Sequence, residues 1–148
     1  MSEWNDLYQE VILEHTKKPR NFGVLVHPDR TALGQNPLCG DQLTITLRMN
    51  GDKIEDIRFQ GAGCSIFKSS ASLMTGIVKN KTRKEIENIF DQFHAMVTGK
   101  GEITDESLEG LGAFSGVSDY PVRVKCASLA WHTLRAALDQ KSQPVSTE

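Results

Sequence analysis

The sequence predicts an α+β domain in which a small antiparallel three-stranded sheet packs against helices, and three observations carry that expectation. An amphipathic stretch opens the chain, an alternating segment with a hairpin signal follows, and helical periodicity then dominates as far as Gln140. With 39% hydrophobic residues, 148 residues suffice for one sizeable core, so residues 1–141 are expected to form a single domain.

The elements follow in order. Trp4, Leu7, Tyr8, Val11, Ile12 and His15 recur at spacings of three and four, with Asp6, Gln9, Glu10 and Glu14 on the other side, which is the pattern of an amphipathic helix. Lys17 and Lys18 suit the negative end of its dipole, and Pro19 stops it. Pro28, Gly34 and Pro37 loosen the next stretch, leaving a short edge strand over 31–33. Leu43, Ile45, Leu47 and Met49 alternate with Gln42, Thr44, Thr46 and Arg48, the period of a half-buried strand. Asn50-Gly51 tolerates positive φ and turns the chain into a partner strand over 54–60. Ala71, Leu73, Met74, Ile77 and Val78 make 65–79 a closely packed helix. Thr82 and Glu85 have capping-box spacing and open a helix with Ile86, Ile89, Phe90, Phe93 and Val97 on one face, ended by Gly99. The polar, glycine-rich stretch 100–120 reads as a surface insertion with at most one short helix over 106–111. Leu129, Ala130, Leu134, Ala137 and Leu138 predict a terminal helix over 126–140, and 142–148 reads as a flexible tail.

Seventeen basic residues against nineteen acidic ones give a net charge of -2 with both signs scattered, which argues against a nucleic-acid or anionic-membrane binder. No apolar run reaches the roughly 20 residues of a spanning helix, and the acidic start Met1 to Asp6 lacks the basic and apolar regions of a signal peptide. A soluble, cytoplasmic protein is expected.

Cysteines 39, 64 and 126 cannot all pair within the chain, so they are read as thiols with a task rather than as a disulfide framework. Cys39 lies in the turn Asn36-Pro37-Leu38-Cys39-Gly40-Asp41, where Gly40 lets the chain reverse so that Cys39 and Asp41 face one point. Cys64 follows Gly61-Ala62-Gly63 just before a helix whose free amides favour a thiolate. Cys126 follows Arg123 and Lys125, two cations expected to lower its pKa. If the segments converge, Cys39, Asp41, Cys64 and Cys126 make a donor set of three sulfurs and an oxygen that suits zinc or an iron-sulfur cluster. The spacing matches no C-x-x-C pair, and free cysteine also packs as a small hydrophobe; the residues alone leave both readings open.

Three motifs together resemble those of the U-type iron-sulfur cluster assembly proteins, the IscU/SufU/NifU N-terminal family. They are Asn36-Pro37-x-Cys39-Gly40-Asp41, Gly61-x-Gly63-Cys64-Ser65-Ile66 with Ser70-Ala71-Ser72, and Pro121-x-Arg123-x-Lys125-Cys126-Ala127. The opening Tyr8-x-x-Val11-Ile12-x-x-His15 and Lys18-Pro19-Arg20-Asn21 are similar too, so the likeness spans about residues 5–140. The resemblance implies a SufE/NifU-like α+β fold with a metal or cluster site at one end and a cysteine desulfurase as partner. Lys125 stands where IscU-type members carry a histidine ligand, and the 62 positions between Cys64 and Cys126 exceed their spacing; both features resemble the SufU branch. The segment Tyr120 to Val124 also lacks the double proline of the motif that IscU offers to its Hsp70 chaperone.

The SufU likeness implies a zinc-dependent sulfurtransferase that accepts persulfide sulfur on Cys39 from a SufS-type desulfurase and passes it to downstream cluster-assembly proteins. There, zinc is held by Cys39, Asp41, Cys64 and Cys126, the desulfurase supplies a replacement ligand that frees Cys39, and Arg123 steadies the freed thiolate or persulfide. The alternative is an IscU-like scaffold on which iron and sulfide form a transient cluster on the same four residues. A purely structural zinc module is disfavoured, because structural sites close with four cysteine or histidine ligands. A Cys126–His132 dyad is disfavoured because residues six apart on a helix point about 120° away from each other. His15 is expected packed or hydrogen-bonded, His27 and His94 exposed. Trp4, Tyr8 and Val11 read as core or as a docking stripe, and Trp131 carries the same two readings.

Overall fold

The computed structural model describes residues 2–103, 105–140 and 144–146. In chain order they form α1 (Ser2–Lys17), β1 (Arg30–Asn36), β2 (Asp41–Asn50), β3 (Lys53–Ala62), α2 (Ser65–Val78), α3 (Arg83–Val97), a 3-10 segment (Glu106–Asp119), α4 (Pro121–Leu138) and β4 (Val145–Ser146). The side chains of Trp4, Leu7 and Tyr8 lie outside the described residues.

The sheet order is β3-β2-β1-β4. The three long strands pair antiparallel, with Asn36 opposite Asp41 at the end of β1 and β2, and Gly51 takes φ 65° in the hairpin before β3. Leu43, Ile45 and Leu47 of β2 and Ile54, Ile57 and Phe59 of β3 are buried beneath the helices. A side chain at Gly34 of β1 would meet Leu129 and Thr133 of α4, so that glycine lets the helix lie directly on the strand. The capping box at Thr82 and Glu85 opens α3 as expected, and Gly99 follows it at φ 78°. No described helix is long and apolar enough to cross a membrane.

Three expectations are corrected. Residues 106–119 are no surface insertion: Leu108, at a kink between two short 3-10 helices, and Leu111, Phe114 and Val117, spaced at the 3-10 period after it, are all buried in the core. Phe114 meets Phe93 of α3 edge to face, with ring centroids 6.0 Å apart. The terminal helix begins at Pro121, five residues early, because proline is well tolerated in a first turn whose amides have no helical partner. The tail contributes a strand, since Val145 and Ser146 pair parallel with Gly34 and Gln35 and make the sheet four-stranded. The rest of that tail, 142–143 and 147–148, lies outside the described residues.

Candidate metal centre

Strand register builds one side of the centre. Between Asn36 and Asp41 the chain reverses in four residues, the amides of Cys39 and Gly40 donating to the Asn36 carbonyl at 3.2 and 2.9 Å, with Gly40 at φ 74°. Cys39 therefore stands exposed at the tip of the turn, while Asp41, the first residue of β2, is only 1% exposed. The Cys64 amide, at the N-terminus of α2, donates to Asp41 Oδ1 at 2.9 Å, and Asn36 Nδ2 donates to Asp41 Oδ2 at 3.1 Å. Gly63 permits this approach, because a Cβ there would collide with the Asp41 carboxylate and with Phe67. Cys126, in the second turn of α4 and 2% exposed, supplies the other side. Its Sγ lies 3.2 Å from Cys39 Sγ and accepts from Asn36 Nδ2 at 3.4 Å.

The donor atoms of Cys39, Asp41 and Cys126 thus lie within 4.8 Å of one another. Cys64 is outside that set, yet half-buried and near enough to act on Cys126. Burial pushes the Cys126 thiol far above the ordinary thiol range, and hydrogen bonds with Cys39 and Cys64, the Cys64 charge and Asp41 add to the shift. The expectation that Arg123 and Lys125 lower this pKa is corrected: Cys126 sits inside the helix among other thiols. Arg123 is exposed, with its guanidinium 4.6 Å over the Tyr120 ring, and among the described residues it makes no hydrogen bond to the four candidate ligands.

These residues fit a divalent cation. Asp41 is a buried carboxylate that no lysine, arginine or histidine pairs with among the described residues, and a buried charge without a counter-charge is costly. A bound metal ion would supply that charge and displace protons from the thiols, inverting the effect of burial. Two sulfurs and one oxygen are assembled, and with Cys64 beside them the donor types suit zinc or iron.

Asn36 is the residue that sequence reasoning quoted but did not single out. Fully buried, its amide spans Asp41 and Cys126, and the readable signal was an amide residue placed opposite Asp41 by a four-residue reversal. His15 is buried with Nδ1 2.7 Å from Ser72 Oγ, as expected of a hydrogen-bonded core histidine. Trp131 is core, stacked on Phe93 with centroids 4.7 Å apart. His27 and His94 are exposed. His132 packs edge to face on Phe90, away from Cys126 as the helical period requires.

The NifU-like N-terminal domain model matches residues 7–127. The chain is 41% identical over 128 residues to the zinc-dependent sulfurtransferase SufU of Bacillus subtilis, covering 86% of each. It is 37% identical over 142 residues to the iron-sulfur cluster assembly scaffold protein IscU of Streptococcus pyogenes serotype M1, covering 96% of this chain and 89% of that one. Among solved structures, FiSufU of Fervidobacterium islandicum AW-1 is similar at TM-score 0.80 and 33% identity, over 90% of this chain and 98% of the other.

Proposed function

The chain belongs to the NifU-like N-terminal domain family, and from that premise we propose that it is a zinc-dependent sulfurtransferase of iron-sulfur cluster assembly, taking persulfide sulfur onto Cys39 from a SufS-type cysteine desulfurase. The observation that carries this reading is the division of the thiols: Cys39 is exposed at the tip of a turn while Cys126 and Asp41 are buried beneath it. A partner's persulfide has access to Cys39 and none to Cys126.

Cys39, Asp41, Cys64 and Cys126 would hold the zinc, which when bound supplies the positive charge that keeps the thiols deprotonated. In the transfer, the Cys39 thiolate attacks the outer sulfur of the desulfurase persulfide. The partner's S–S bond breaks, its electron pair leaves on the partner cysteine as thiolate, and a new S–S bond forms on Cys39. No oxidant or reductant is consumed. Arg123 stands three residues before Cys126 on α4 and, swung off Tyr120, offsets the charge of the Cys39 persulfide before the sulfur passes to downstream cluster-assembly proteins.

A second reading, a scaffold holding a transient iron-sulfur cluster on the same four residues, is supported by the carboxylate. Asp41 is a harder donor than cysteine and suits a site whose contents must leave. Alanine release by a SufS-type desulfurase separates the two. The transferase reading expects a saturable rise of about tenfold or more in turnover with this protein, lost in Cys39→Ala. A Cys39→Ala protein that accelerates the desulfurase equally would sink it.

A further inference from the structure

A second polar site lies on another face of α4. Val124, Lys125, Ser128, His132, Arg135 and Ala136 line a cleft of about 480 Å³, closed by His94 of α3 and by β4. Such a volume lies within the range of small-molecule sites.

Two independent observations point to an anion. The first is charge: Lys125, Arg135 and the imidazoles of His94 and His132 line the cleft, and among the described residues no aspartate or glutamate does. Outside it, Glu87 of α3 holds Arg135 at 2.7 Å and also pairs with Arg83, which bonds Asp139, while the Arg135 guanidinium lies 3.8 Å over the Phe90 ring. The His94 and His132 rings stand 6.3 Å apart, and burial, then His94 and Arg135, lower the His132 pKa. The second is Ser128. It is 6% exposed, and its hydroxyl makes no hydrogen bond among the described residues, not even to the helical carbonyl four residues back that usually accepts from a buried serine. A buried hydroxyl without a partner is costly, and an acceptor in the cleft that Ser128 lines would relieve it once the hydroxyl turns toward the cleft.

We propose that this cleft binds a small phosphate-bearing anion of the phosphate monoester class. A monoester is close to a dianion at neutral pH, and its three acceptor oxygens can take hydrogen bonds from Lys125, from Arg135 held by Glu87 and from Ser128 together, where a carboxylate has two. Val124, Ala136 and Val145 give its organic part an apolar wall. The proposal does not rest on the transferase reading, although Lys125 is the neighbour of Cys126 on α4.

Histidine C–H resonances of the full chain as purified, followed by NMR during titration with inorganic phosphate and then glycerol 3-phosphate, test this. Saturable shifts at His94 and His132, with a dissociation constant of about 1 mM or tighter and His27 unmoved, are expected. Glycerol 3-phosphate should bind about threefold or more tightly than phosphate; equal affinity would overturn the ester assignment in favour of free phosphate. Lys125→Gln should weaken binding about tenfold, and Ser128→Ala about threefold while raising Tm in phosphate-free buffer. Shifts that never saturate, shifts that His27 shares, or full affinity in Ser128→Ala would overturn the site. So would capture of a glutamate-rich peptide in place of both phosphate probes.

Discussion

Cys39 and Cys126 bring the same chemical group to within 3.2 Å of each other from opposite kinds of structure. One stands at the exposed tip of a four-residue reversal between strands, the other in the second turn of a helix packed on the sheet. The turn presents a sulfur that a partner can approach; the helix fixes one that is buried from solvent. The difference teaches how a single centre divides holding from accepting. On the proposed function, the buried carboxylate and thiol would set the position of a metal, and Cys39 on the turn would take the sulfur.

The largest effect is expected from breaking this division at its buried half. Cys126→Ser should lower zinc retention against a competing chelator by about a hundredfold or more and lower Tm, while Cys39→Ser, an exposed change, should cost less of both. Equal losses would erase the distinction between the two thiols.

Next comes the amide that ties the halves together. Asn36→Ala removes the donor shared by the Asp41 carboxylate and the Cys126 sulfur, and should weaken metal binding by about 10- to 100-fold. Because the side chain is fully buried, metal affinity should be read beside Tm. A fall in Tm with unchanged affinity would make Asn36 a packing residue only.

The smallest effect lies away from the centre and serves as its contrast. Burial, with help from Arg20, lowers the His15 pKa below 6.5, against a smaller upward pull from Glu14. The unfolded chain therefore binds this proton first as pH falls. Stability from His15 is complete above about pH 6.5 and is lost as pH drops through the lower folded value. Denaturant midpoints taken from pH 7.5 to 5 should fall less steeply in His15→Gln than in the parent, and parallel slopes would contradict this.

Much of this architecture was legible in the chain. The alternation in β2, the Asn-Gly turn and the capping box of α3 each express a local rule that packing did not override. The 3-10 segment escaped because its apolar residues repeat every three positions, matching neither the helical nor the strand period, and because glycine and serine between them resemble a loop. Pro121 reads as a break, yet at the first position of α4 it starts the helix and carries Cys126 into the second turn. That shift changes the chemistry expected of Cys126 from an activated thiol to a buried one. The two residues of β4 are too few for any period to register. The motifs named Cys39, Asp41, Cys64 and Cys126, of which the fold brings the donor atoms of Cys39, Asp41 and Cys126 within 4.8 Å, whereas Asn36 becomes visible only when strand register sets it beside both Asp41 and Cys126.

The direct test of Cys39 as acceptor is to locate the sulfur. After incubation with a SufS-type desulfurase and cysteine, alkylation and peptide mass spectrometry should find one added sulfur on the peptide holding Cys39, with the peptides of Cys64 and Cys126 unchanged. Added sulfur on Cys64 or Cys126, or none on any of the three while the desulfurase turns over faster, would contradict the account.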